Sequence, residues 1–184
     1  MSIRSSAPPA VTVPTPRTML ALLLVAVLTA CHPASEFDPR LQPVVAADDT
    51  VCAYTGLRLS DFAGPKAQVH FAGEAAPHFF IDTVKMFHIA LADGRTPPVR
   101  GLFVQDMTLS DWHEVQAGWI DARDAYYVEG GRLIGPLGPT LASFSTREAA
   151  ARFAADNGGR VLRFADVDAD MVILDGGALH DTSM

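Results

Sequence analysis

Two stretches of this sequence carry the same order of turn residues and apolar runs, and that order constrains the fold more than any other feature. The first is PKAQVHFAGEAAPHFFIDTVKMFHIALADG, residues 65–94; the second is DAYYVEGGRLIGPLGPTLASFSTREAAARFAADNGG, residues 124–159. Each opens on a short strand-like run, 67–71 and 125–128, and turns through glycine at AGE and EGGR. A second strand follows in each, 78–81 and 140–144, and then a helix. Asp82 is a good cap for the first helix, with Val84, Phe87 and Leu91 as its apolar stripe. Ser145 with Glu148 spells a capping box for the second, and Asn157-Gly158 supplies its stop. A third strand closes each unit, VRGLFVQD at 99–106 and GRVLRFADV at 159–167. The pattern predicts an α+β fold of two tandem ββαβ units packed together. Units of roughly 55 residues bury too little surface to be stable alone, so packing the two together gives each the core it lacks.

The units sit behind a leader. Residues 19–28, MLALLLVAVL, form an uncharged apolar run preceded by Arg17 and Arg4. A run of this length suits the core of a secretory signal and falls short of the roughly 20 residues that span a bilayer. It ends in LTAC at Cys31, which resembles the lipobox of bacterial lipoproteins. That likeness implies cleavage before Cys31 and lipidation of its sulfur; an ordinary signal peptide cut nearby, or an anchor left uncut, is the alternative. His32 follows the cysteine where inner-membrane retention would place an aspartate, so the resemblance favours the outer membrane. Residues 32–48 hold three prolines and no clear period and read as a tether. The expected divisions are a signal at 1–30, a tether at 31–48, units at 49–108 and 109–168, and a tail at 169–184.

Cleavage removes two arginines and no acid, so the mature charge is 12 − 21 = −9. Such a surface repels nucleic acid and favours cationic partners. The chain has two cysteines. With Cys31 lipidated, Cys52 is a solitary thiol in an oxidising compartment. Thiolate and thioether sulfur suit Cu(I), and metal binding itself deprotonates the thiol. No Gly-x-Ser-x-Gly and no phosphate loop is present, and a thiol–disulfide role lacks its second cysteine. A nucleophilic thiol paired with His70 or His78 is the enzymatic alternative, since such pairs are spatial.

GPKAQVHF at 64–71, DW at 111–112 with GWIDARDAYYVEG at 118–130, and GPLGPTLASFSTREAAARFAADNGGRVLRF at 135–164 resemble the NosL family, accessory lipoproteins of nitrous-oxide reductase. The resemblance implies a periplasmic, membrane-anchored Cu(I) chaperone and no enzyme. Its implied partners are nitrous-oxide reductase and an ABC-type maturation complex, and its implied fold is again two ββαβ units. It also implies copper ligands: a Cys-x-Met pair in the first unit and a methionine in a Gly-x-Met-Gly-Pro turn of the second. Cys52 matches the cysteine, but Tyr54 and Leu137 stand where the methionines belong.

One thiolate needs company to hold Cu(I). Met107, at the end of the third strand, is the preferred replacement thioether, because strand ends are commonly exposed. Met86 and His88 lie about 200° apart on one helix and do not share an ion; Met86 reads as core. His70 and His78 read as strand-surface residues. His113, near Met107, and His32, on the tether, are weaker candidates, and Met171 and His180 carry no assigned role. Asp121, Arg123 and Asp124 form a charged cluster that is structural, partner-facing or a solvated face. The alternative to a copper chaperone is a docking lipoprotein of the same descent that has lost its metal.

Overall fold

The structure is a computed structural model in which residues 37–92, 94, 97–114 and 118–174 are described. The expected signal and lipidation site at Cys31, together with His32 and His180, lie outside the described residues. The remainder is an α+β fold of antiparallel sheets and two α-helices.

The first sheet has the order β2-β1-β3-β4. Its strands are β1 (Ala67–Phe71), β2 (His78–Phe80), β3 (Val99–Gln105) and β4 (Trp119–Asp121). Helix α1 (Thr83–Leu91) lies between β2 and β3 in the chain. Its cap is the expected one: the Asp82 side chain accepts from Val84 N. β1 is buried on both faces. Ala67 and Val69 enter the core on one side, and Gln68, equally buried, points the other way.

The Gln68 amide meets a backbone segment expected to be a tether. Val44 N donates to Gln68 Oε1 at 2.9 Å, and Gln68 Nε2 donates to Val44 O at 3.0 Å. The same segment holds on at Asp38, whose amide donates to Arg100 O and whose carboxylate faces the Arg100 guanidinium at 3.6 Å. Leu41 lies over Gly101, where a Cβ would collide with it. Residues 37–48 therefore belong to the body of the protein. Their two prolines, Pro39 and Pro43, break periodicity without freeing the chain, because the partners of Asp38, Leu41 and Val44 lie on a sheet distant in sequence.

The second sheet has the order β8-β5-β9, from β5 (Tyr126–Glu129), β8 (Ala142–Phe144) and β9 (Arg160–Arg163). Helix α2 (Arg147–Asn157) lies between β8 and β9 in the chain. A hairpin of two-residue strands, β6 (Ile134–Gly135) and β7 (Gly138–Pro139), interrupts the path from β5 to β8. The expected capping box on Ser145 does not form. Thr146 caps α2, accepting from Ala149 N at 3.2 Å. Ser145 is drawn away: its amide donates to Asp106 Oδ1 at 2.9 Å, and its hydroxyl meets Thr108 Oγ1 at 3.0 Å. Gly158 ends the helix at φ +77°, a conformation that a side chain would strain.

One core is shared by residues from both sheets. Phe87 of α1, Tyr127 of β5, Leu141 and Leu162 are all buried in it. Phe87 meets Tyr127 edge-on with ring centroids 4.8 Å apart and lies 5.1 Å from the Phe164 ring. The Tyr127 hydroxyl donates to Ala122 O at 2.6 Å, which satisfies the one polar atom on that ring. A smaller cluster gathers Met107, Trp112, Phe144, Ala149 and Ala150 beneath α2. Lys66 is buried as well. Its ammonium donates to the carbonyls of Phe62, Ala63 and Gly64, which accounts for its three N–H bonds. Burial pulls its pKa down to about 8, opposed by the charge of Asp82, so it is cationic at neutral pH.

Candidate functional site

Cys52 sits in a tight turn that leads from the docked N-terminal segment into the first sheet. Its amide donates to Leu57 O and its carbonyl accepts from Gly56 N, each at 2.8 Å. Ala53 N donates to Phe79 O, which pins the turn to the strand region of β2. An isolated bridge from Val51 to Arg58 closes its base. Gly56 takes φ +73°, which lets so short a turn close. The thiol is a free cysteine, 1% exposed, inside the shared core. The side chains around it in sequence are not buried: Val51, Tyr54 and Leu57 are about half exposed. The turn therefore holds sulfur inward and an apolar fringe outward.

Met107 does not lie where strand-end exposure would put it. It begins a 3-10 turn (Met107–Leu109) after β3 and is 4% exposed. It packs in the smaller cluster with Trp112, whereas Cys52 belongs to the shared core. The cause is local: the Asp106 carboxylate caps the turn by accepting from Thr108 N, which tucks the Met107 side chain beneath α2. Met86, read as core, is fully buried in the same cluster as Cys52, and His88 is exposed, so the two face apart as the helical spacing requires.

Two of the other described histidines, His70 and His78, have side-chain partners of their own. His70 Nε2 lies 2.9 Å from Gln68 Oε1, and burial lowers its pKa. His78 Nε2 pairs with Glu74 Oε2 at 2.6 Å. His113 is exposed and lines an open cleft with Asp48, Lys66 and Gln105. Among the described residues, no three of His, Cys, Asp and Glu are grouped to hold a metal ion. Asp121 and Arg123 form a paired link, with Arg123 N and Nε both donating to Asp121 Oδ1 at 2.9 Å. Burial works against the Asp121 carboxylate, yet the Arg123 hydrogen bonds hold its pKa below the usual range. The Arg123 guanidinium also covers the Phe37 ring at 4.3 Å, so this pair fastens the docked segment to β4.

Of the two positions that the resemblance assigns to thioethers, one packs against this core and the other faces outward. Tyr54 lies two residues from Cys52, its ring 4.3 Å from Lys85 Nζ. Leu137, between β6 and β7, packs against the cluster that contains Cys52. Sequence reasoning missed the buried carboxylate of Asp82 beneath this hairpin, because a capping role already accounted for it.

The NosL family model matches residues 43–172. The chain belongs to the NosL family. It is 36% identical over 169 residues to a copper-binding lipoprotein NosL of Stutzerimonas stutzeri, covering 89% of this chain and 88% of the relative. It is 34% identical over 164 residues to the copper-binding lipoprotein NosL of Achromobacter cycloclastes, covering 85% and 84%. The crystal structure of the copper chaperone NosL from Shewanella denitrificans superposes with a TM-score of 0.67 at 28% identity, over 72% of this chain and 99% of that one. This chain thus shares its fold with a solved NosL structure, and Cys52, Tyr54 and Leu137 are the residues that stand at the three positions where the resemblance implies sulfur ligands.

Proposed function

We infer that this NosL protein is a periplasmic, membrane-anchored copper chaperone and not an enzyme. The observation that carries the inference is likeness over nearly the whole chain to copper-binding lipoproteins, with Cys52 a free cysteine, the one cysteine among the described residues. In finer detail, the cargo is Cu(I), held by the Cys52 thiolate. Met107 is the sequence-based second donor, though its place in a separate cluster counts against direct partnership in this conformation. Cys31 is the lipidated residue, and the outer membrane is its destination. The copper is destined for nitrous-oxide reductase, with an ABC-type maturation complex as a working partner. The chain is built of two tandem ββαβ units, a reading supported by equal strand orders, β2-β1-β3 and β8-β5-β9, each with its helix before the last strand. β4 crosses from the expected second unit to complete the first sheet.

Copper transfer proceeds by exchange of soft ligands, which needs the sulfur reachable. A thiol that is 1% exposed is not reachable as it stands. The 52–57 turn must lift, at the cost of the hydrogen bonds joining Cys52 to Leu57 and Gly56. The same burial favours the second reading, a docking lipoprotein of NosL descent that has lost its metal. The deciding experiment titrates the reduced mature lipoprotein, in detergent, against a coloured Cu(I) chelator. The copper reading expects one equivalent of Cu(I) to be withdrawn per chain. No withdrawal at any protein excess overturns it, and equal rescue of reductase assembly by Cys52→Ser and wild type then favours the docking reading.

A further inference from the structure

Asp82 is more than a helix cap. A cap needs one oxygen, which Ser, Thr or Asn supplies without a charge. Here a carboxylate is buried, and taking an ion out of water costs several kcal/mol. Oδ1 accepts from Val84 N at 2.9 Å and from the Thr140 hydroxyl at 2.6 Å. The neighbouring Thr83 hydroxyl donates to Leu141 O at 2.7 Å. Both Thr140 and Leu141 lie in the second half of the chain, directly after β7. Oδ2 is, among the described residues, the one buried side-chain polar atom without a hydrogen-bond partner. It lies over Gly135 so closely that any Cβ there would collide with it. Burial raises the Asp82 pKa, against the pull of Thr140, Val84, the Leu137 amide and Lys66.

Apart from the cap bond from Val84 and the charge of Lys66, these contacts reach the β6–β7 hairpin or the residues that leave it. That hairpin forms a sheet of its own, apart from the two larger ones, and two-residue strands are too short to hold it. Its tip carries Leu137, packed against the core that contains Cys52.

We propose that Asp82 is a positioning residue for metal handling: it fastens the 134–140 hairpin to the start of α1, so that the side chain at position 137 is presented at a fixed place against the Cys52 core. The geometry stands by itself; the consequence for metal rests on the copper reading above. Leucine at 137 gives the hairpin no donor, so the link shows itself when one is supplied.

The test is a double-mutant cycle on the mature lipoprotein, with Cu(I) affinity measured by chelator competition and amide exchange measured over residues 134–140. Leu137→Met is expected to tighten Cu(I) binding by about tenfold, and Asp82→Ala to remove most of that gain while changing the Leu137 protein by less than about twofold. Asp82→Ala also removes the cap for Val84; Thr140→Val leaves that cap in place, removes the hairpin's hydroxyl alone and is expected to behave alike, whereas Thr140→Ser retains the gain. Hairpin amides are expected to exchange about tenfold faster in Asp82→Ala and Thr140→Val. Unchanged exchange overturns the positioning role. Additive effects on affinity, with faster exchange, leave Asp82 a structural fastener and overturn its role in metal handling. Absence of Cu(I) binding with either residue at 137 overturns the copper reading itself, and exchange still decides whether Asp82 holds the hairpin.

Discussion

Phe87→Ala is expected to destabilise the protein by about 3–5 kcal/mol. Phe87 is fully buried, and its ring joins α1 to both Tyr127 and Phe164. These two come from the second half of the chain, so the residue couples the halves as well as filling space. Truncation removes the transfer free energy of the ring, opens a cavity, and deletes two aromatic contacts worth about 0.5–1.5 kcal/mol each. The cavity cannot collapse easily, because Tyr127 is held in place by its hydroxyl bond to Ala122 O. Domains of this size have roughly 5–15 kcal/mol in total. Urea unfolding of the mature chain should therefore show a large drop in midpoint. A loss below about 1 kcal/mol would mean that the halves do not depend on this contact.

Cys52→Ala is expected to weaken Cu(I) binding by at least about a hundredfold, or roughly 2.7 kcal/mol. Tyr54 and Leu137 leave no thioether at the two positions the resemblance assigns to methionine, so neither can hold the metal once the thiolate is gone. The fold should tolerate the change. Cys52 is small and its backbone bonds to Leu57 and Gly56 do not involve the side chain, so the expected cost is about 1 kcal/mol. A ligand that binds only the native state adds about 2.7 kcal/mol at a hundred times its Kd. Thermal unfolding with added Cu(I) should thus rise in the wild type and stay flat in the variant. Equal stabilisation of both would place the copper elsewhere.

The parts of the fold legible in the sequence were those with local causes. Asp82 caps α1 because an acidic side chain can reach the amide two residues on, and Gly158 ends α2 because it tolerates the backbone required. Ser145 was misread because its preferred partners, Asp106 and Thr108, are distant in sequence and outcompete the helix end for it. β4 was not foreseen, since a three-residue strand is defined only by the β3 edge that it joins. The docked segment at 37–48 was hidden in the same way, its proline-rich composition telling nothing of Gln68 or Arg100. Of the candidate site, the chemistry of Cys52 could be read from residue type. Its burial could not, because inward and outward positions in a tight turn depend on the strand to which it is tied. Met107 shows the same limit: the strand end was placed well, but the capped turn after it reverses the side chain into the smaller cluster.

X-ray absorption at the copper edge, on the reduced and Cu(I)-loaded mature protein, tests the central claim most directly. The account predicts a short copper–sulfur distance that disappears in Cys52→Ala. Copper surrounded by nitrogen and oxygen alone, or an identical spectrum in the variant, would contradict it.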